Sequence, residues 1–421
     1  MSYQYDPIQR KCTIRNAAEL PNEIFAIAKD IEILDASFGN LTSLPDNLSD
    51  LTNLRIAFFS NNDFDSIPEV LSSCQKLEMV GFKSCKINQL DTHALPAGLR
   101  GLILTDNLLT ELPESIGSYA QLQKLMLTGN RIQALPTSLL DCGNLGLLRI
   151  SMNQLQESPD WLFQLPKLAW YGDSSNPFRL DAEKATLDRM REIPWDDVEI
   201  IDTLGQSAKN IVYSARCNDQ HVAIKLFGAG ISADGNAIDE MQASLIAGSH
   251  SNTIGGIARI MHNPEGREGL VMPMIPADYK ALGQPPDFTT LTRDVFSIET
   301  PLTEDFISQV ALDIASAMTH VSSQGVMHGD IYAHNILSRA DGKSVIGDFG
   351  AASTYIPQST PGLLRERTDV RGFGYLLVDL LAHSEPSAVI KLSKLKDACL
   401  DEIPSHRPLF KDIFSALSSQ H

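Results

Sequence analysis

Several things are scarce in this 421-residue chain, and each scarcity removes a class of function. Cysteine occurs six times (Cys12, Cys74, Cys85, Cys142, Cys217 and Cys399), scattered and without a Cys-x-x-Cys pair. That favours reduced thiols over a disulfide framework or a zinc site. No apolar run approaches the length needed to span a bilayer, and Met-Ser-Tyr-Gln-Tyr-Asp lacks the basic and apolar regions of a secretion signal, so a cytoplasmic location is expected. Basic residues are outnumbered, 34 Lys and Arg against 52 Asp and Glu, for a formal net charge of −18. Nucleic acid and anionic membrane surfaces both repel such a surface and are not expected partners. What remains is 43% apolar and 20% charged, an ordinary globular composition on a chain too long for one core, so two domains or more are expected.

From Ile31 the chain repeats itself. Units opening at Ile31, Leu54, Leu77, Leu99, Leu122, Leu145 and Leu168 step by 22 or 23 residues. The clearest reads Leu99-x-x-Leu102-x-Leu104-x-x-Asn107-x-Leu109-x-x-Leu112-Pro113. Alternating leucines mark a short strand with one buried face, and the asparagine can serve backbone groups where the chain turns. That position holds Gly39, Asn62, Cys85, Asn107, Asn130, Asn153 and Asn176. The pattern resembles the leucine-rich repeat family. The boundaries that follow are an N-terminal cap over 1–30, repeats over 31–178 and a polar, partly helical linker over 179–195. A solenoid has no chemistry of its own. Its concave strand positions (Ile33, Ile56, Phe58, Met79, Ile103, Met126 and Leu147, among Lys83, Lys124 and Arg149) suggest an apolar face for a protein substrate or regulator, or for the second domain.

The chemistry lies in Val326-Met-His-Gly-Asp-Ile-Tyr-Ala-His-Asn-Ile-Leu337, followed by Val345-Ile-Gly-Asp-Phe-Gly350. Asp330 precedes Asn335 by five residues and Asp348 by 18, room for two short strands and a turn between them. One carboxylate to orient an attacking hydroxyl and two oxygen ligands for magnesium are what phosphoryl transfer requires. These motifs resemble the catalytic and metal-binding loops of the protein-kinase superfamily, and region 196–421 is read as a kinase-like domain. The fold class expected is a leucine-rich repeat α/β solenoid followed by a bilobal α+β kinase-like fold.

The resemblance implies ATP and Mg2+ as cofactors and assigns further roles. Lys225, after the apolar Val222-Ala-Ile run, would hold the phosphates, and Glu240 would hold Lys225, with Asp239 as nearest competitor. Asp330 would be the catalytic carboxylate, with Asn335 and Asp348 on the metal. Gly205-Gln-Ser207-Ala-Lys-Asn210 stands where the family has Gly-x-Gly-x-x-Gly, implying weaker phosphate contact through Gly205 and Ser207. Val212, Ala223 and Met272 would line the adenine pocket, and the backbones of Pro273 and Ile275 would bond the ring.

The departures carry implications too. Gly329 replaces the arginine that in regulated kinases pairs with a phosphorylated activation loop, so that form of gating is not expected. Tyr332 replaces a lysine near the transferred phosphate. His334 is the nearby basic substitute, or else a loop histidine bonded to backbone. Asp369 is read as opening a buried helix, and Glu366 as the partner of Arg407. Ala-Pro-Glu is absent. A serine/threonine protein kinase is the leading reading; a pseudokinase scaffold and a small-molecule kinase are the alternatives.

Overall fold

The computed structural model describes residues 3–179, 190–207, 210–228, 230–232, 234–297 and 300–419, with side chains 387–389 and 391 excepted. Contacts divide it into two units, Met1–Leu168 with Asn176–Phe178, and Ala169–Ser175 with Arg179–His421.

The first unit is built from repeated short strands and tight 3-10 turns, as a solenoid requires. Its strands are β1 (Tyr3–Asp6), β2 (Lys11–Ile14), β3 (Ile33–Asp35), β4 (Ile56–Phe58), β5 (Met79–Gly81), β6 (Gly101–Ile103), β7 (Lys124–Met126) and β8 (Leu147–Arg149). β1 pairs antiparallel with β2, which caps the end of a parallel ladder running in chain order from β2 to β8. The turns opposite follow prolines, as at Pro45, Pro68, Pro113 and Pro136, whose fixed φ suits the entry to a helical turn.

The repeated asparagine does the same work in each unit. Asn107 Oδ1 accepts the Ile87 N–H at 3.0 Å, and its Nδ2 donates to the carbonyls of Phe82 at 2.7 Å and Leu104 at 3.1 Å. Asn62, Asn130, Asn153 and Asn176 repeat that stitch between neighbouring turns. At Gly39 a Cβ would lie 2.5 Å from the Ala17 carbonyl oxygen, so the first repeat excludes a side chain there. Cys85 makes a weak substitute, its thiol donating to the Phe59 carbonyl at 3.4 Å. The apolar concave column is not an open stripe. Ile56, Met79, Met126 and Leu147 are buried, because successive side chains cover one another: Phe58 lies over Gly81 and Met79 over Gly101.

In the second unit, a six-stranded sheet in the order β10-β14-β15-β13-β12-β11 forms the first lobe. With β9 (Trp170–Gly172) preceding them, its strands are β10 (Glu192–Pro194), β11 (Val198–Gln206), β12 (Ile211–Cys217), β13 (Gln220–Leu226), β14 (Ala258–Met261) and β15 (Gly269–Pro273). The stretch expected to be a linker therefore ends in a strand, because buried Ile193 fills the sheet's core; most of the rest of that stretch lies outside the described residues. Helix α1 (Ala237–Ala247) packs against the sheet. Its first N–H groups are capped by Asn236 Oδ1, which accepts from Ile238 at 2.8 Å and Asp239 at 3.0 Å.

The second lobe is helical: α2 (Glu304–Ser323), α3 (Thr360–Ala382), α4 (Pro386–Cys399) and α5 (Phe410–Ser418). Short strands accompany it: β16 (Lys280–Ala281), β17 (Val326–Met327), β18 (Ile336–Ser338), β19 (Ser344–Ile346) and β20 (Ser353–Thr354), the last paired to β17. Val310, Ile314 and Met318 of α2 are fully buried against Phe373 and Leu377 of α3. The Asp369 helix starts earlier than the sequence suggested. Ser359 caps it and Pro361 occupies its first turn, so Asp369 sits in mid-helix. The Arg407 guanidinium bonds the carbonyls of Asp401 and Arg367, while the Glu366 carboxylate accepts the Phe410 N–H at 2.9 Å. Among the described residues, no helix is long and apolar enough to cross a membrane. The six cysteines are free.

Candidate active site

β13 carries Lys225 inward from an antiparallel ladder in which Lys225 faces Leu270 and Ala223 faces Met272. Alternation along a strand puts Ala223 and Lys225 on the same face. The Lys225 ammonium meets Glu240 Oε1 of α1, and both side chains are about 15% exposed. It also lies 4.9 Å from the centre of the Phe227 ring. Burial works to lower the Lys225 pKa, but Glu240 and then Asp348 hold it above its usual value, so the ammonium stays charged. Burial pushes the Glu240 carboxyl up to about 7, against the pull of Lys225. Asp239, the competing acid, points elsewhere and accepts from Ser175 Oγ at 2.7 and 2.8 Å.

The catalytic-loop residues follow β17. The His328 and Gly329 backbone N–H groups both donate to buried Asp369, at 2.7 and 2.8 Å. Two such bonds fix the loop's entry. Burial nonetheless raises the Asp369 pKa to about 7. His328 Nε2 meets the Gly347 carbonyl at 3.1 Å, and its ring lies 5.0 Å from that of Phe349, tying the two motif loops together. Asn335 Nδ2 donates to Asp330 twice, to Oδ2 at 2.9 Å and to the main-chain carbonyl at 3.0 Å. That commitment turns the amide nitrogen toward Asp330 and leaves Oδ1 as the oxygen that can serve a cation. β18 and β19 then pair, Ile336 with Ile346, and return the chain to Asp348.

Asp348 has a left-handed φ of 60°, uncommon for a residue with a Cβ. Phe349 beside it is 1% exposed. The buried ring anchors the turn and leaves the Asp348 carboxylate at the surface, where its Oδ1 accepts only the Gly350 N–H at 3.2 Å among its described bonds. An amide oxygen and an under-used carboxylate are hard donors of the kind Mg2+ takes, so this donor set fits that ion.

Two residues were not visible as a unit in the sequence. His334 Nδ1 lies 2.7 Å from Asp294 Oδ1, and Asp294 Oδ2 accepts the His334 N–H at 3.0 Å. Burial opposes protonation, but Asp294, then Asp330 and Asp348, keep the imidazole's pKa above its usual value. Asp294 lies in the irregular stretch between β16 and α2, with no periodicity to mark it.

The glycine hairpin closes by side-chain chemistry. Ser207 N donates to the Asn210 carbonyl at 2.8 Å, and Ser207 Oγ accepts the Asn210 N–H at 2.9 Å. Residues 208–209 lie outside the described ones. Gly205 is open, with no heavy atom within 4 Å of a built Cβ, and faces Val212 across the β11–β12 pair. Met272 packs beside Phe227, Met241 and Leu270, and Pro273 and Ile275 are half-buried after it.

Residues 198–371 match the model of the family described as protein tyrosine and serine/threonine kinase. The chain is similar to the dual specificity protein kinase pyk3 of Dictyostelium discoideum, 24% identical over 271 residues, covering 54% of this chain and 19% of that protein. It is similar to fibroblast growth factor receptor homolog 1 of Drosophila melanogaster, 25% identical over 248 residues, 51% of this chain and 33% of the relative. A probable LIM domain-containing serine/threonine-protein kinase of Dictyostelium discoideum is 29% identical over 162 residues, 28% of this chain and 24% of its own length. The chain thus spans a third or less of these relatives. Its second unit carries a protein-kinase domain.

Proposed function

We propose that the chain is an ATP-dependent serine/threonine protein kinase whose leucine-rich repeats recruit a protein substrate or regulator in the cytoplasm. The observation that carries the catalytic part is the presence in one unit of two direct side-chain bonds, Lys225 to Glu240 and Asn335 to Asp330, with an Asp348 carboxylate whose charge bears on Lys225. Bound Mg2+ would neutralise the nucleotide's phosphates. Asn335 Oδ1 and the Asp348 carboxylate would hold the metal, and Lys225, steadied by Glu240, would hold the phosphate oxygens. Asp330, oriented by Asn335, would accept a hydrogen bond from the acceptor hydroxyl and take its proton as transfer proceeds. His334, whose protonation Asp294 favours, stands four residues on, near the place where Tyr332 offers no positive charge. Catalysis rests on positioning and charge neutralisation.

The test is incubation of the purified chain with labelled ATP and Mg2+, with general protein acceptors and with a panel of hydroxylated metabolites. Transfer to protein serine or threonine that disappears in Asp330→Asn supports the reading. Transfer only to a soluble metabolite selects a small-molecule kinase. Mg2+-dependent nucleotide binding without any transfer selects a pseudokinase scaffold, a reading to which the substituted glycine hairpin lends some weight.

A further inference from the structure

The segment Ala169–Ser175 belongs by its contacts to the second unit and bonds to the loop around Asp330, to α1 and to α3. On the catalytic loop, the Tyr171 N–H donates to the Gly329 carbonyl at 3.1 Å, and Trp170 Nε1–H donates to the Ile331 carbonyl at 3.2 Å, one residue either side of Asp330. The Trp170 indole stacks on Tyr332, 4.5 Å between centres and 5° between planes, and on Tyr375 of α3 at 5.1 Å. On α1, Ser175 Oγ donates to Asp239, the neighbour of Glu240, and accepts from Asn236 Nδ2 at 2.9 Å. On α3, Asp173, fully buried, takes Arg365 at 3.0 Å, and Arg179 at 2.7 Å; Arg179 also donates to the Thr354 carbonyl in the segment after Asp348.

This arrangement accounts for a departure noted in the sequence. Gly329 has φ +70°, and a Cβ there would lie 2.1 Å from the Tyr171 carbonyl oxygen. No side chain can coexist with the segment at that position, so the arginine that serves a phosphorylated activation loop elsewhere in the superfamily has no room. The Asp173–Arg365–Arg179 cluster stands beside the same loops with an unmodified carboxylate. A buried charge satisfied by two guanidinium groups is costly to break, which makes the cluster a fixed anchor and not a switch.

We propose that Ala169–Ser175 is a built-in positioning strut, holding the catalytic loop, the post-Asp348 segment and the Glu240 helix in register without phosphorylation. Trp170, Tyr171, Asp173 and Ser175 are its positioning residues; none touches the reacting atoms. The kinetic part of this inference rests on the kinase reading above, and the structural part does not.

The experiment uses the full chain with Trp170→Ala, Trp170→Phe and Ser175→Ala, read by amide hydrogen exchange and by MgATP kinetics. Trp170→Ala is expected to raise exchange across 326–337 about tenfold while α2 stays protected. It is expected to lower kcat about tenfold with KM for MgATP within about twofold. Trp170→Phe keeps the stack and restores most of both readouts. Ser175→Ala is expected to loosen Ile238–Gln242 alone, and it decides the matter if Trp170→Ala unfolds the whole unit. If the parent chain transfers no phosphate, the kinase reading fails and exchange alone judges the strut. Unchanged exchange in the Trp170 and Ser175 variants overturns it. So does a rise in kcat, which would make the segment an inhibitory plug.

Discussion

The glycine hairpin at 205–210 and the catalytic loop at 328–335 depart from the kinase pattern in opposite senses. The hairpin has lost glycine and gained side chains; the loop has lost a side chain and gained a glycine. In the hairpin, Ser207 closes the turn through its hydroxyl, replacing backbone freedom with a local bond. In the loop, Gly329 makes room for a strand from elsewhere in the chain. Local substitution has a local partner, whereas the loss of a side chain marks a long-range contact. The comparison predicts that perturbing the loop disables the protein and perturbing the hairpin only tunes it.

The largest effect is expected at Asp330. Asp330→Asn keeps the Asn335 contact region intact but removes the proton acceptor, and transfer should fall by about 10²–10⁴-fold, the usual weight of general-base catalysis. A single-turnover rate within threefold of the parent contradicts that role. Next comes Gly329→Arg, the substitution that restores the family's arginine. Because the Tyr171 carbonyl already fills that space, the rate should drop at least about tenfold rather than rise, by the same transition-state arithmetic, with the repeat unit's circular dichroism unchanged.

How much of this was legible beforehand depended on the range of the contact. The 22- and 23-residue steps exposed the repeated strands because each repeat touches only its neighbours. The meeting of Lys225 with Glu240 and of Asn335 with Asp330 was legible because each partner sits in a short stretch of regular spacing. The start of α3 was misplaced to Asp369 because that buried acid reads like a helix cap, while the real cap, Ser359, lies in a polar run without apolar periodicity. Asp294, 40 residues before His334, and Trp170, 161 residues before Ile331, left no sign at all. Their partners are fixed by tertiary folding, and a single sequence carries no record of such pairs.

A smaller effect should appear in the pH dependence of stability. Glu240 and Asp369 have folded pKa values raised to about 7 from 4.5 and 3.8, so between those limits the folded chain holds protons that the unfolded chain has released. Stability is therefore fully present below about pH 4 as far as these groups are concerned, and is lost as pH rises through about 7. Melting temperature measured without nucleotide should fall from pH 5 to pH 8, and Glu240→Gln should flatten that slope. A slope of the same size in the variant removes Glu240 from the account.

The smallest effect belongs to the hairpin. Ser207→Ala removes the hydroxyl that holds Asn210, and KM for MgATP should rise about two- to fivefold with kcat unchanged, since only ground-state nucleotide binding is touched. A fall in kcat as large as that of Gly329→Arg would erase the contrast between the two loops.

One titration reaches the centre of the account, the nucleotide site proposed for Lys225, Glu240, Asn335 and Asp348. ATP binding to the full chain is measured calorimetrically with Mg2+, with EDTA, and with Mg2+ in Lys225→Met and Asp348→Ala. One site per chain that needs Mg2+ and weakens at least about tenfold, or about 1.4 kcal/mol, in each variant is the predicted result. Equal affinity in all four conditions would contradict it.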